Sequence, residues 1–207
     1  MHVKICGITT EDAAQQALDS GADFIGFVFA ESKRKINPEE AAQISVPLPS
    51  TIKKVGVFVN ETKENMLAIA EQVGLDVIQL HGDEPAELAE QLPYEVIKAF
   101  PIKKENIHTI GSYPCDYYLL DGPIGAYHGG NGTTFDWELV TDTKINPEKI
   151  ILAGGLSPEN VQQAIATAKP AGVDVSSGVE TDGKKDLAKI NQFITQAKMK
   201  IHKSMKG

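Results

Sequence analysis

The sequence predicts an α/β protein in which eight parallel strands, each followed by a helical segment, close into a barrel. Apolar runs of about five residues alternate with longer segments of helical period, and parallel strands need such crossover connections. The strand runs are nearly continuous in Val, Ile, Leu and Phe, as expected when both faces of the sheet are covered. Eight such units in 207 residues fit a compact (β/α)8 TIM barrel, and no GxGxxG follows the first strand as in a dinucleotide-binding sheet. We therefore expect a single domain that spans residues 1–207.

Each element has its own signal in the chain. The predicted strands are Val3–Cys6, Phe24–Phe29, Lys54–Val59, Val77–His81, Val96–Phe100, Tyr117–Asp121, Ile150–Ala153 and Gly172–Ser176. The predicted helices span residues 10–20, 38–44, 62–73, 84–92, 157–168 and 185–202. Asn37 before Pro38 marks a helix start, and Gly21 and Gly74 follow helix ends. The helical pattern is weakest after the fifth and sixth strands, and the glycine-rich stretch 129–134 after the sixth predicts a long loop.

The composition excludes some classes of partner. The formal net charge is −8, whereas a surface for nucleic acid or an anionic membrane requires a basic patch. The basic residues near the C-terminus are expected to form the solvated face and frayed end of the last helix; they are Lys198, Lys200, Lys203 and Lys206. An acidic chain can still bind a small phosphate through local backbone N–H groups, so phosphorylated small molecules remain possible substrates.

The start of the chain and its cysteines predict the cellular compartment. Met1-His2-Val3 leads directly into the first strand, without the charged and apolar regions of a signal peptide. No apolar run approaches the roughly 18 residues of a membrane span. The two cysteines lie far apart in the sequence, and without an export signal they are expected to be free thiols in a reducing compartment. We therefore expect a cytoplasmic protein.

Chemically reactive side chains occur where the predicted strands end, which is where a barrel carries its active site. Cys6 ends the first strand and is either a reactive thiol or a small buried side chain. Asp121 ends the sixth strand beside apolar residues, so it is either an acid with a raised pKa or a carboxylate that caps the next loop. Alternation places Lys4 on the same inward face as Cys6. An interior ammonium needs a polar partner, and its charge would lower the pKa of the thiol.

Two glycine-containing loops predict a phosphate site. Gly154 and Gly155 follow the seventh strand, and Ser177 and Gly178 follow the eighth. Glycine lets backbone N–H groups approach an anion closely, and the loops after strands 7 and 8 frequently bind phosphate in barrels. The alternative is that these are ordinary turn glycines.

Three further side chains are candidates for other roles. Arg34, after the second strand, is either a solvated loop charge or an anchor for a carboxylate, which its planar fork can bind through two hydrogen bonds. His81 closes the fourth strand as a hydrogen-bonding group at the barrel mouth or as a structural histidine. No metal site is expected, because neighbouring strand ends offer no second ligand with suitable spacing. Cys115 precedes the sixth strand, at the opposite end of the barrel from Cys6, so we expect no disulfide.

Taken in order, these motifs resemble those of the phosphoribosylanthranilate isomerases of tryptophan biosynthesis, over essentially the whole chain. They are Lys4-Ile5-Cys6-Gly7-Ile8-Thr9, Ser32-Lys33-Arg34, Gln79-Leu80-His81-Gly82, Leu120-Asp121, Gly129-Gly130-Asn131-Gly132 with Phe135-Asp136-Trp137, Ala153-Gly154-Gly155-Leu156 and Asp174-Val175-Ser176-Ser177-Gly178-Val179-Glu180. The resemblance implies an isomerase that converts N-(5-phosphoribosyl)anthranilate to 1-(2-carboxyphenylamino)-1-deoxyribulose 5-phosphate by an Amadori rearrangement. It implies no cofactor and no metal, because the nitrogen of the substrate acts as the electron sink.

The resemblance also implies a role for each candidate residue. Asp121 would be the general acid that protonates the ring oxygen, and Cys6 the general base that removes the C2 proton. Arg34 would hold the anthranilate carboxylate, and His81 would be a further substrate-binding group at the mouth. The phosphate would bind the two glycine-containing loops through Gly154, Gly155, Ser177 and Gly178.

The chain departs from the family pattern at two positions. Asn131 replaces the small hydroxyl residue that the family usually has between the loop glycines, which predicts a changed loop detail and no change of reaction. Glu31 precedes Ser32 where a proline-rich approach is common, which leaves the path of that loop open without affecting Arg34.

Three other interpretations compete with this one. Phosphoribosyl isomerases of histidine biosynthesis, including forms that accept both substrates, use a pair of aspartates, one of them at the end of strand 1, where this chain has Cys6. Sugar-phosphate epimerases need metal-binding His and Asp residues that are missing here. A non-catalytic phosphate-binding barrel would need neither Cys6 nor Asp121.

The acidic surface favours a monomer, with a homodimer as the alternative.

Overall fold

The structure, a computed structural model, describes residues 1–103, 105–122 and 137–199. Eight parallel strands follow one another around a closed barrel, and the last strand pairs with the first. The predicted (β/α)8 barrel is therefore confirmed. The stretch 129–136, with Asn131, and the lysines beyond residue 199 lie outside the described residues.

The barrel strands are β1 (His2–Cys6), β2 (Phe24–Val28), β3 (Lys53–Phe58), β4 (Val77–Leu80), β5 (Glu95–Pro101), β6 (Tyr117–Asp121), β7 (Ile150–Leu152) and β8 (Gly172–Val175). The helices are α1 (Glu11–Asp19), α2 (Pro38–Ser45), α3 (Lys63–Val73), α4 (Ala86–Glu90), α5 (Glu138–Thr141), α6 (Val161–Ala168) and α7 (Leu187–Lys198). A small antiparallel hairpin, β9 (Glu180–Thr181) and β10 (Lys184–Lys185), lies between β8 and α7. Within the described ranges, no helix is both long and apolar enough to cross a membrane.

The predicted strands are all present, and their ends differ from the prediction by no more than one residue. The helix predicted over 157–168 begins later, at Val161, because residues 157–160 form a turn closed by side chains. In that turn the Ser157 N–H donates to Asn160 Oδ1 at 2.8 Å, and Asn160 Nδ2 donates to the Gly155 carbonyl at 2.9 Å. The weak pattern after the fifth strand corresponds to a single 3-10 turn, Ile110–Ser112.

Side-chain caps explain why the helices begin where they do. The Thr10 hydroxyl accepts a hydrogen bond from the Ala13 N–H at the start of α1, and Asn37 caps α2 with Pro38 as the first helical residue. Helix α3 ends at Val73 and is capped by Gly74, whose φ of +69° belongs to the left-handed region that favours glycine. These local signals are readable in the sequence, so the starts of α1 and α2 and the end of α3 are predicted well. The last helix was predicted from Lys185, but this residue belongs to strand β10 and α7 begins at Leu187.

Strand alternation divides the buried apolar residues into two groups. One group lies between the strands and the surrounding helices. The other fills the barrel interior and consists of Phe24, Val55, Val77, Ile97, Ala99, Leu119, Ile151 and Ala153. Inward-facing positions on β1 and β8 are instead polar: Lys4 and Cys6 on β1, and Asp174 on β8. Polar groups inside the barrel must be paired, and this requirement determines the arrangement of the site.

A buried ion pair holds the loop that follows His81. Lys98 Nζ lies 2.8 Å from Glu84 Oε2, and the two side chains are 4% and 1% exposed. Lys98 also donates a hydrogen bond to the Gly82 carbonyl. The Glu84 carboxylate accepts hydrogen bonds from the backbone N–H groups of Gly82 and Asn60. Each polar atom of the pair thus contacts the loop backbone, which fixes this part of the barrel mouth.

We predict that Lys98→Met lowers the free energy of unfolding by about 3 kcal/mol, because it leaves the buried Glu84 carboxylate without its cation. Urea denaturation measures the change. The control is the double variant Lys98→Met/Glu84→Gln, which removes the unpaired charge and should recover part of the loss. A double variant less stable than Lys98→Met alone would contradict an ion-pair contribution.

Candidate active site

Cys6 lies at the carboxyl end of β1 with its side chain inside the barrel, where it is 8% exposed. Its neighbour on β2 is Gly26, and a Cβ atom at that position would come within 2.9 Å of Cys6 Sγ and 3.2 Å of Lys4 Nζ. Glycine at position 26 therefore makes room for the thiol and the ammonium group side by side.

The interior lysine has the polar partner that its position requires. Lys4 Nζ donates to Asp174 Oδ1 at 2.9 Å, and the Lys4 side chain is 1% exposed. Burial by itself would lower the pKa of Lys4, but the negative charge of Asp174, with a smaller effect of Cys6, outweighs burial and raises that pKa to about 12. Lys4 is therefore a permanent cation next to the thiol.

The thiol of Cys6 has a pKa above its ordinary value, although Lys4 acts in the lowering direction that the sequence predicts. Burial is the largest influence on this pKa and raises it. Lys4 does favour the thiolate, through its charge and a hydrogen bond, and Lys185 adds a smaller effect in the same direction. The charge of Asp174, on the neighbouring strand β8, works in the opposite direction and raises the pKa of Cys6. The ammonium thus offsets the effect of burial only in part.

Asp121 ends β6 with its carboxyl group at the barrel mouth. Burial raises the pKa of Asp121 to about 6, the charge of Asp174 adds to this, and a hydrogen bond from the Gly122 N–H opposes it in part. The loop after β7 passes close by, since a Cβ on Gly154 would lie 2.6 Å from Asp121 Oδ1. Gly154 also has a φ of +85°, so both space and backbone conformation require glycine there. A carboxyl group with this pKa is suited to act as an acid near neutral pH.

The two loops predicted to bind phosphate are in contact. A Cβ on Gly178 would lie 1.9 Å from the Leu156 carbonyl oxygen, which leaves no space for any other residue. Gly154 and Gly155 both have positive φ, at +85° and +64°, and Ser177–Val179 forms a 3-10 turn. The four candidate residues therefore lie on adjoining loops at one end of the barrel.

Arg34 lies in the loop between β2 and α2 and binds a carboxylate of the chain itself. Its Nε donates to Glu180 Oε1 at 2.6 Å and its Nη2 donates to Glu180 Oε2 at 2.8 Å. Lys185 Nζ donates to the same Oε1 at 2.8 Å. The Arg34 side chain crosses Gly7 at the end of β1, where a Cβ would lie 2.5 Å from Arg34 Cδ. Arg34 is therefore held beside Cys6 and is not a freely solvated charge.

His81 follows β4, and its Nδ1 lies 3.0 Å from Gln79 Nε2. Burial, and then the charge of Lys4, hold the pKa of His81 below its ordinary value, so the imidazole is neutral at pH 7. A neutral imidazole offers one N–H donor to a ligand at the mouth.

Cys115 is a free thiol, as Cys6 is, so the prediction of no disulfide between them is confirmed. Burial raises the pKa of Cys115 to about 12, which makes it unreactive at neutral pH.

A family model described as "PRAI: N-(5'phosphoribosyl)anthranilate (PRA) isomerase" matches residues 3–196. The chain belongs to this family. A curated relative, N-(5'-phosphoribosyl)anthranilate isomerase of Oceanobacillus iheyensis, is 52% identical over 201 residues, which cover 97% of this chain and 98% of the relative. The resemblance stated from the motifs is thereby confirmed.

Solved structures of phosphoribosylanthranilate isomerases have the same fold. The enzyme from Thermotoga maritima superimposes with a TM-score of 0.85 at 44% identity, covering 96% of this chain and 98% of that chain. A second structure, in complex with reduced 1-(o-carboxyphenylamino)-1-deoxyribulose 5-phosphate, has a TM-score of 0.82 at 42% identity over 96% of this chain and 98% of that chain. The Thermotoga maritima enzyme is also described as dimeric.

The strand-end pattern of the sequence did not indicate a role for Asp174 or for the pair Glu180 and Lys185. Asp174 has the same signal in the sequence as Asp121: each is an acidic residue at an inward position of an otherwise apolar strand. Glu180 and Lys185 have no such signal, since they belong to a hairpin that the strand pattern does not predict. Across the three described ranges, no group of three or more His, Cys, Asp or Glu side chains is placed to hold a metal ion.

We predict that Asp121→Asn raises the free energy of unfolding at pH 8 by about 2 kcal/mol. The fold raises the pKa of this carboxyl above its unfolded value, so the ionised form that dominates at pH 8 destabilises the folded chain. The gain should shrink as the pH falls from about 6 toward about 4 and vanish below that, where the native carboxyl is protonated in both states. Urea denaturation across this pH range measures the gain.

The control for this experiment is Asp142→Asn at an exposed position after α5, which should change the free energy of unfolding by less than about 0.5 kcal/mol. An Asp121→Asn variant less stable than the native chain at pH 8 would refute the unfavourable environment of this carboxylate.

Proposed function

We propose that this chain isomerises N-(5'-phosphoribosyl)anthranilate to 1-(2-carboxyphenylamino)-1-deoxyribulose 5-phosphate, with Asp121 as general acid and Cys6 as general base. Family membership supports the reaction. The observation that carries the two roles is the buried Lys4–Asp174 pair, which lies next to the thiol and contributes to the raised pKa of the Asp121 carboxyl. An Amadori rearrangement needs one group to give a proton and another to take one, and these two candidates are the acid and the base.

In the first step, Asp121 donates its proton to the ring oxygen of the phosphoribosyl group. The bond from C1 to the ring oxygen breaks, and the nitrogen lone pair forms an iminium with C1. A pKa of about 6 means that the carboxyl retains part of its protons near neutral pH and gives them up readily. The negative charge of Asp174 opposes ionisation of Asp121 and so keeps more of this carboxyl protonated before the substrate arrives.

In the second step, the Cys6 thiolate removes the proton from C2. The electron pair of the C–H bond forms a double bond between C1 and C2 and neutralises the iminium nitrogen, which gives an enolamine. Tautomerisation then moves the hydroxyl proton of C2 to C1 and produces the ketone. Lys4 stabilises the thiolate, and the raised pKa of Cys6 makes that thiolate a strong base once formed.

The remaining candidates bind the two ends of the substrate. The adjoining loops with Gly154, Gly155, Ser177 and Gly178 would take the phosphate through backbone N–H groups. Arg34 would bind the anthranilate carboxylate at the other end, beside β1. The neutral imidazole of His81 would donate a hydrogen bond to the sugar portion between them.

We also propose a cytoplasmic monomer. The two free thiols fit a reducing compartment. The exposed large apolar side chains of the described residues are few; they are Met1, Val46, Val59, Leu187 and Met199.

We predict that Cys6→Ala and Asp121→Asn each lower kcat by about 100-fold or more, because each removes one proton-transfer group. Loss of anthranilate fluorescence measures turnover of freshly generated substrate. The control is Cys115→Ala, which removes the other thiol and should leave turnover unchanged. Native-like turnover of both site variants would refute the assigned roles, and an intact chain without turnover would refute the function.

We predict that Arg34→Met raises the KM for the substrate by about 10- to 100-fold, because a charge-assisted hydrogen-bond pair to the carboxylate is lost. The kcat should change far less, since the carboxylate does not take part in bond breaking. Steady-state kinetics separate the two parameters, and an unchanged KM would exclude carboxylate binding by Arg34.

A further inference from the structure

The hairpin of β9 and β10 is a small structure with two buried charges. It has two residues in each strand, and its turn consists of Asp182 and Gly183, with φ of +52° and +76°. Positive φ at both central residues is the pattern of a type I′ turn. Glu180 and Lys185 face each other across this hairpin, and their side chains are only 10% and 5% exposed. Charged side chains are rarely buried to this extent without a specific partner.

That partner is Arg34, from a loop 146 residues earlier in the chain. Glu180 binds the Nε–Nη2 edge of the guanidinium through two hydrogen bonds, at 2.6 Å and 2.8 Å. The guanidinium has five N–H donors, and this contact uses one edge of it. The other edge, Nη1–Nη2, can donate two hydrogen bonds to a second carboxylate. The Glu180 contact therefore orients Arg34 without using all of its binding capacity.

Lys185 balances the charge of this contact. Its Nζ donates to Glu180 Oε1 and to the Ser176 carbonyl, both at 2.8 Å. Two cations and one anion leave a net charge of +1, whereas Arg34 and Glu180 alone would be neutral. The Ser176 hydroxyl in turn donates to the Cys6 carbonyl at 3.1 Å, which ties the cluster to the end of β1.

We propose that Glu180 and Lys185 are positioning residues for recognition of the anthranilate carboxylate. Glu180 holds the guanidinium in one orientation, and Lys185 keeps the cluster positively charged toward an incoming anion. This inference rests on the proposed role of Arg34 and goes beyond it, since neither residue needs to touch the substrate.

Two physical effects support these separate roles of Glu180 and Lys185. A free arginine side chain loses rotational freedom when it binds a ligand, and a side chain already held in place avoids most of that loss. A buried carboxylate beside the binding site would repel a second carboxylate unless a cation offset it. Glu180 holds the Arg34 side chain in place, but its own carboxylate would repel the carboxylate of the substrate. The positive charge of Lys185 offsets this repulsion.

The test compares Glu180→Gln and Lys185→Met with the native chain on two substrates. One is N-(5'-phosphoribosyl)anthranilate, and the other is the analogue made from aniline, which lacks the carboxylate. Each variant should raise the KM for the first substrate by about 3- to 10-fold, the size expected for one immobilised side chain. Neither should change the KM for the aniline analogue, and kcat should stay within about two-fold on both.

The matched control is Lys184→Met, which removes a lysine from the same hairpin at an exposed position. It should change neither KM. A KM increase of equal size on both substrates, or a fall in kcat alone, would show a general structural role and overturn the inference. Thermal unfolding of each variant verifies that the chain is folded at the assay temperature.

A double-mutant cycle separates this inference from the proposed function. In an Arg34→Met background, Glu180→Gln should add nothing to the increase in KM, because the residue that it positions is gone. If Arg34→Met leaves KM unchanged, the proposed carboxylate anchor is wrong and the inference falls with it. If Arg34→Met raises KM and Glu180→Gln does not, the inference alone is wrong.

Discussion

The ion pair between Lys4 and Asp174 is the contact on which the active site depends. A lysine inside the barrel requires a buried anion, and the two side chains meet at 2.9 Å between β1 and β8. Gly26 on β2 leaves the space in which this pair and the Cys6 thiol fit together. The chemistry at the mouth is therefore controlled by a contact between the first and the last strand of the barrel.

This one pair acts on both of the proposed proton-transfer groups, Cys6 and Asp121. Asp174 raises the pKa of Asp121 and of Cys6, while Lys4 lowers the pKa of Cys6. With the pKa of Asp121 near 6 and that of the thiol above its ordinary value, the ionised acid and the protonated thiol predominate at neutral pH. In the proposed mechanism, the combination that reacts, protonated Asp121 with the Cys6 thiolate, is therefore a minor form. It contains a stronger acid and a stronger base than groups with matched pKa values would provide.

Buried pairs of lysine and glutamate also shape the rim of the barrel. Lys98 and Glu84 hold the loop after β4, and Lys185 and Glu180 hold the loop after β8 against Arg34. In both cases the carboxylate accepts hydrogen bonds from elements that are distant in the sequence. Loops at an active site are mobile unless such contacts order them, so these pairs contribute to a preformed site.

The sequence by itself determined the barrel, its strand positions, several helix caps and the strand-end positions of the two candidate residues Cys6 and Asp121. These follow from local patterns, since apolar runs, capping residues and strand-end positions need no knowledge of distant contacts. Only the tertiary structure decided that Asp174 pairs with Lys4, 170 residues away, and that Arg34 is already bound to Glu180. It also decided the direction of the Cys6 pKa shift, because burial and the sum of nearby charges depend on how all eight strands come together.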